Sequence, residues 1–440
     1  MKKFIRRVAA ADVARNSVIV LAAILLGNVF NYGYYLLMGR SLSLRDYGTV
    51  MSLVSAVLLV FGIGTIVQTM VAKLAADIRA AEDQGRLASF TRATLRLSMW
   101  TATIIFLISV LLRGVVAQYL HLVRPELVVI AGAAAAVGFV VLFQRGLFQG
   151  FGAFKTFAIS SSLDGVKAFF ILPLAHRFGE LGATAAYLSG TLTAATYGLV
   201  ALRPHMAAVG ETAALDIRRL FRTAGATGLA SVSIVVLMFY DVVLAKHYVT
   251  PAGAGLYSAA ALGGRVLLAA CSFLPVILLP DIAVRSASGR PHRHVLAATL
   301  AIAIAIICVV VAACALEPRL VLAVLAGHAF GNAAPLLLPY VLSSAALALG
   351  NLLVMYAIAR HRFGFTPYVV LIAIGEIAAV MLRHGSPMEI VQDILAGHTG
   401  ICFAMAVWVT VSLAREPARA AAARYGGRVG SPLDENARSL

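Results

Sequence analysis

Arg265, Lys167, Asp164, Asp241 and Glu376 are the residues of this 440-residue chain that chemistry singles out, because each falls within a long apolar stretch. An ionisable group in hydrocarbon is costly, and it marks a substrate path, an ion path or a compensated pair. Lys167 lies about ten residues into its stretch, which at 1.5 Å per residue is roughly 15 Å deep. Arg265 and Glu376 lie at similar depths, near the midplane of a core about 30 Å thick. Arg265 has no acid within one turn of its own helix. It must face water, an anion or a distant partner such as Glu376, and its planar, permanently charged fork suits phosphate. Asp164 and Lys167 stand three residues apart, so they either neutralise each other or point together into a cavity. Asp241 and Glu376 are candidate proton or cation sites. Asp241 could equally cap a helix end or pair with Lys246, and Glu376 could pair with Arg265 or Lys167.

Weaker candidates surround these. Arg145 and Lys155 bracket a Gly- and Phe-rich segment at a helix end, where basic residues follow the topology rule or meet anionic headgroups. Asn28, Asn31 and Gln68 are polar groups in the first two stretches, lining a cavity or bonding between helices. No HExxH, GxSxG or P-loop pattern is present. His292, Arg293 and His294 lack other ligand types nearby, and Cys271, Cys308, Cys314 and Cys402 form no metal spacing. The expectation is therefore no catalytic residue, no metal and no cofactor. Any transport would draw on a proton or sodium gradient, a substrate gradient or downstream use of the product.

The elements that must position these residues are helices in lipid. Hydrophobic residues make up 61% of the chain and charged residues 12%, where a soluble domain carries about 25% charged. That excludes a soluble enzyme, a nucleic-acid-binding protein, a disulfide scaffold and a disordered chain. A crossing helix needs about 20 apolar residues. Twelve such stretches are legible, at roughly 17–38, 49–71, 97–113, 127–144, 157–175, 181–201, 225–246, 256–279, 295–315, 335–358, 367–383 and 395–413. The third and eleventh are short, and the fifth carries Asp164, Lys167 and Pro173.

The 36 Lys and Arg residues set an orientation. With both termini in the cytoplasm, 26 fall in cytoplasmic segments, 8 in the opposite loops and 2 inside the stretches. The expected organisation is a cytoplasmic arm at 1–16, six helices over 17–207, six more over 208–413, and a disordered basic cytoplasmic tail at 414–440. The two sets repeat at an offset of 207. Tyr35 to Gly48 overlies Val242 to Gly255, each an apolar helix ending at a basic residue before a short polar turn and a Gly, and Arg15 overlies Arg222. Transporters built from such repeats place the substrate path between them.

Residues 31–53 (NYGYYLLMGRSLSLRDYGTVMSL), 240–265 (YDVVLAKHYVTPAGAGLYSAAALGGR) and 145–155 resemble the polysaccharide-transporter branch of the MATE/MOP exporter superfamily, the flippases of lipid-linked oligosaccharides. The resemblance implies an all-α integral membrane protein of the inner (plasma) membrane of bacteria, with two six-helix bundles in a V around a central cavity. It implies translocation of undecaprenyl-pyrophosphate-linked repeat units for exopolysaccharide, capsule or O-antigen assembly, by a non-enzymatic, monomeric transporter. On that model Arg265, Lys167, Arg145, Lys155 and Asn31 contact pyrophosphate or glycan, and Asp241, Glu376 and Asp164 couple a proton or cation. Its partners would be the lipid-linked substrate, membrane lipids, and the polymerase and chain-length regulator of the same pathway, with no nucleic acid. Twelve stretches argue against the lipid II branch, whose members typically carry fourteen. The other readings are a MATE-like antiporter of small cations, which wants an acidic cavity, and a glycan polymerase or ligase, which wants a large outside loop.

Overall fold

The computed structural model describes residues 26–206 (28 excepted), 217–275 and 292–414, with isolated positions at 278, 282, 285 and 286. The expected N-terminal arm, the first part of the first stretch, the boundary near 207, the end of the eighth stretch and the basic tail lie outside the described residues.

Among the described residues the fold is helical throughout. The elements of the first half are α1 (29–41), α2 (Leu44–Ala80), α3 (Gln84–Leu111), α4 (Arg113–Tyr119), α5 (Glu126–Gly150), α6 (Phe154–Leu163), α7 (Lys167–Phe178) and α8 (Glu180–Leu202). Those of the second half are α9 (Ile217–Tyr248), α10 (Pro251–Cys271), α11 (Arg293–Leu316), α12 (Pro318–Leu325), α13 (Ala334–Ala359), α14 (Thr366–Leu382) and α15 (Pro387–Ala414). Among the described residues ten helical segments, α6 and α7 counted as one, are long and apolar enough to cross a bilayer. The shorter α14 and the described part of α1 complete the twelve stretches read from the sequence. Their outward faces carry large apolar side chains such as Trp100, Phe169, Val309, Leu371 and Phe403, as lipid-facing helices require.

The hydrophilic segment at 72–96 is a helical hairpin rather than an open loop. α2 runs on through the Ala-rich sequence to Ala80, and α3 starts at Gln84 behind the N-cap Asp83, whose carboxylate accepts from the Arg86 N–H at 2.8 Å. The fifth stretch is broken in the middle. A 3₁₀ turn at Asp164–Val166 separates α6 from α7, and Pro173 lies inside α7.

The element order repeats, each half adding a short helix (α4, α12) that periodicity did not reveal. α2 and α10 open 207 residues apart, each behind a hydroxyl N-cap. Ser43 accepts from the Asp46 N–H at 3.2 Å, and Thr250 accepts from the Gly253 N–H at 3.2 Å. The halves join through α2, which packs on α9 and α10. At the start of α2 the repeat-related Gly48 and Gly255 meet. A Cβ on Gly48 would stand 2.8 Å from the Gly255 nitrogen, and one on Gly255 would overlap the Leu44 carbonyl. The crossing is tight because neither residue has a side chain.

The same end carries further contacts between halves. Tyr32 donates to the Val324 carbonyl at 2.9 Å, Lys246 to Thr49 Oγ1 at 2.9 Å, and the Tyr47 ring packs on Phe330 at 4.7 Å. This is the end that the Lys and Arg distribution assigns to the outside. Gly255→Val should push α10 off α2 at a cost of about 1–3 kcal/mol. The expected readout is an earlier thermal midpoint in detergent. Gly375→Ala, where nothing lies within 4 Å of the added carbon, should leave the midpoint in place.

Candidate functional site

The deep charges sort into two clusters with different solutions to burial. In the first half the 3₁₀ turn brings Asp164 and Lys167 into register, because residues three apart eclipse in that helix. Lys167 Nζ stands 3.1 Å from Asp164 Oδ2 and 4.4 Å from the centroid of the Tyr187 ring, and its side chain is 1% exposed. The two charges therefore satisfy each other, and Lys167 is not open to an aqueous ligand in this conformation. Arg145 lies within electrostatic reach of Asp164. Its guanidinium is directed at α6, with Nη2 donating to the Ser160 carbonyl at 3.0 Å and Nε to Ser160 Oγ at 3.4 Å. Asn31 donates back along its own helix to the Gly27 carbonyl at 3.0 Å. Lys155 is exposed in the first turn of α6, apart from the other candidates.

Arg265 sits on α10 at the junction of the halves. Its Nη2 donates to Ser55 Oγ of α2 at 2.7 Å, and the guanidinium carbon lies 5.2 Å from the Phe239 ring centroid. Nε and Nη1 are buried and have no hydrogen-bond partner among the described residues. An arginine at the centre of a membrane helix costs about 2.5–3.5 kcal/mol on insertion scales. A charge-assisted hydrogen bond of about 1.5–3 kcal/mol and a cation–π contact of about 2 kcal/mol when desolvated offset that. Two donors are left unspent. Tyr35, Tyr47, Tyr340 and Asp241 lie within electrostatic reach of the guanidinium.

The two second-half carboxylates are held by hydroxyls. Asp241 is 1% exposed, and its Oδ2 accepts from Tyr257 at 2.8 Å and Tyr340 at 2.5 Å. It does not pair with Lys246, whose ammonium is turned to Thr49. Glu376 is 3% exposed, and its Oε1 accepts from Tyr240 at 2.9 Å and faces His398 Nε2 at 3.4 Å. It does not pair with Arg265 or Lys167. Gly397 makes room for this carboxylate, since a Cβ there would overlap it. Asp241 Oδ1 and Glu376 Oε2 have no partner among the described residues.

His398 was not legible as part of this group. Its Nδ1 lies 2.6 Å from Ser343 Oγ and 3.2 Å from the Ser343 carbonyl. The last stretch reads as starting at 395, which puts His398 near a helix end. Pro387, which opens α15, is the signal that would have placed it three turns inside. Among the described residues no three His, Cys, Asp or Glu side chains are grouped to hold a metal ion.

Residues 13–283 match the family model described as "Polysaccharide biosynthesis protein". The chain belongs to that family. No curated protein matches it. Among solved structures, the fold is similar to an inward-facing multidrug resistance MATE transporter of the MOP superfamily, with TM-score 0.73 at 13% identity over 90% of this chain and 98% of that one. It is similar to the lipid II flippase MurJ in an inward closed conformation, with TM-score 0.70 at 10% identity over 90% of this chain and 87% of that one. A MOP superfamily transporter from Pyrococcus furiosus, described as having a binding pocket of reversed polarity, aligns with TM-score 0.62 at 13% identity over 91% and 96%. This member of the polysaccharide biosynthesis family is thus a multi-pass membrane protein with the MOP fold.

The pairing of Asp164 and Lys167 has a measurable signature. Lys167→Met removes the ion-pair partner of the part-buried Asp164 carboxylate and should cost about 1–3 kcal/mol, less than breaking a fully buried pair, seen as lost thermal stability in detergent. The double variant Asp164→Asn, Lys167→Met should recover most of that loss, because no charge is left unmatched.

Proposed function

We propose that this protein moves undecaprenyl-pyrophosphate-linked oligosaccharide repeat units from the cytoplasmic to the outer leaflet of the bacterial inner membrane. They would serve exopolysaccharide, capsule or O-antigen assembly. The observation that carries this reading is Arg265, a permanently charged fork near the midplane, between the two halves, with two buried donors unspent. A diphosphate is a ligand of matching charge and geometry. Membership of the polysaccharide biosynthesis family and a fold shared with a lipid II flippase support the same reading.

Arg265 is the anion contact in this scheme. Lys167 and Asp164 act as a neutral strut, Arg145 steadies α6, and Lys155 is placed to meet headgroups at the entrance. Asp241 and Glu376 are the candidates for coupling to a proton or cation, because each keeps one carboxylate oxygen unpartnered among the described residues. No cofactor is required. A MATE-like export of organic cations fits less well, since hydroxyl donors already occupy one oxygen of each carboxylate and the Arg265 guanidinium lies within electrostatic reach of Asp241.

In a deletion strain, lipid-linked single repeat units should accumulate while surface glycan is lost, with both restored by the intact gene. Arg265→Ala should cut surface glycan at least tenfold at unchanged membrane abundance, and Arg265→Lys should restore part of it. Normal glycan from Arg265→Ala at native expression would remove the assignment. Glu376→Gln and Asp241→Asn should make uptake of a lipid-linked oligosaccharide into vesicles insensitive to the proton or sodium gradient. Unchanged gradient dependence in both variants would exclude them as couplers.

A further inference from the structure

Ser55 stands about three turns into α2, in the first half, and Arg265 about four turns into α10, in the second. The crossing of these helices beside Gly48 and Gly255 brings the two residues together across 210 positions of sequence. Ser55 is fully buried. Its hydroxyl donates its single hydrogen to the Met51 carbonyl at 2.6 Å. The Ser55 oxygen therefore meets Arg265 as an acceptor, and it takes Nη2 at 2.7 Å.

A guanidinium carries five N–H groups in one plane. Two bidentate edges share Nη2: one pairs it with Nε, the other with Nη1. Ser55 uses one of the two Nη2 hydrogens. The second Nη2 hydrogen then completes one edge, and Nε and Nη1 are both buried without a partner among the described residues. Whichever hydrogen Ser55 takes, one edge of two parallel donors stays whole, which is the arrangement that matches two oxygens of a phosphate.

We infer that Ser55 is the positioning residue of the anion site, pinning one corner of the Arg265 fork so that its whole edge faces a fixed direction. The inference rests on the reading of Arg265 as the diphosphate contact. A pinned fork has less rotamer freedom left to lose when an anion binds. A neutral hydroxyl also fixes the group without cancelling its charge, as a carboxylate at the same distance would. The acid within reach does not take that place. Asp241 commits Oδ2 to Tyr257 and Tyr340, and its Oδ1 has no partner among the described residues. Because the acceptor for Arg265 belongs to the opposite half, the aim of the fork depends on the spacing of α2 and α10.

The test is a double-mutant cycle on the full-length protein in phosphatidylcholine nanodiscs, with inorganic pyrophosphate titrated by calorimetry. Ser55→Ala should weaken binding about tenfold, the scale of one charge-assisted hydrogen bond. Ser55→Thr keeps the hydroxyl and should keep most of the affinity, which separates the loss from a fault in folding. In the Arg265→Lys protein, Ser55→Ala should cost less than about twofold, because an ammonium has no planar fork to aim. An equal loss in the unsubstituted and Arg265→Lys proteins would show that Ser55 acts independently of the fork and would overturn the positioning role. Full binding in Ser55→Ala, with binding lost in Arg265→Ala, would overturn it while leaving Arg265 as the anion contact. An unsubstituted protein that binds pyrophosphate no more tightly than Arg265→Ala would overturn the reading of Arg265 itself, and the role of Ser55 with it.

Discussion

Hydrocarbon offers no hydrogen bonds, so every charge that this protein carries into the bilayer must be answered from inside the protein. Most of the architecture around the deep residues follows from that demand. In the first half, α6 gives way to a 3₁₀ turn, and the turn sets Asp164 beside Lys167. In the second half, α9, α10 and α13 supply Asp241, Tyr257 and Tyr340 to one carboxylate site, while α14 and α15 bring Glu376 to His398. Gly397 lets α15 approach closely enough for that second site to form. Arg265 keeps two donors without a partner among the described residues, and it lies where the halves meet.

The two halves share an element order but not a chemistry. The shared element order fixes turn positions and the paired N-caps Ser43 and Thr250, which depend on local sequence. Side chains at corresponding depths are free to diverge, because each cluster needs to balance only itself. The first half balances with an ion pair of opposite formal charges. The second balances carboxylates with phenolic hydroxyls, which satisfy lone pairs without cancelling charge. That difference concentrates the unspent polar capacity at Asp241, Glu376 and Arg265 rather than at Lys167.

Contact between the halves gathers along the first part of α2. The crossing of Gly48 and Gly255 brings the helix axes close, so Arg265 reaches Ser55, Lys246 reaches Thr49 and the Tyr119 ring stacks on His247 around the same end. Farther along, α2 turns to its own half, where Val71 and Ala75 join the Phe-rich core of Phe139, Phe143, Phe148 and Phe151. A helix shared in this way can act as the common strut against which one half moves relative to the other.

The amino-acid order alone determined the class of solvent, the apolar stretches, the repeat and the identity of the deep charges. These depend on composition and local periodicity, which the bilayer reads segment by segment. It also made the Asp164 and Lys167 pairing legible, since three residues on one helix suffice for contact. The hairpin at 81–83 and the short helices α4 and α12 were less visible, because capping and short amphipathic turns leave little periodic signal. Tertiary structure decided which charges are answered by which groups. Ser55 lies 210 residues from Arg265, Glu376 lies 136 from Tyr240, and Tyr340 lies 99 from Asp241. Hydropathy carries no information about helix rotation or neighbour choice, so Glu376 could be matched equally well on paper with Arg265 or Lys167. Packing around Gly48, Gly255 and Gly397 sets those rotations, and with them which donors and acceptors are left unspent.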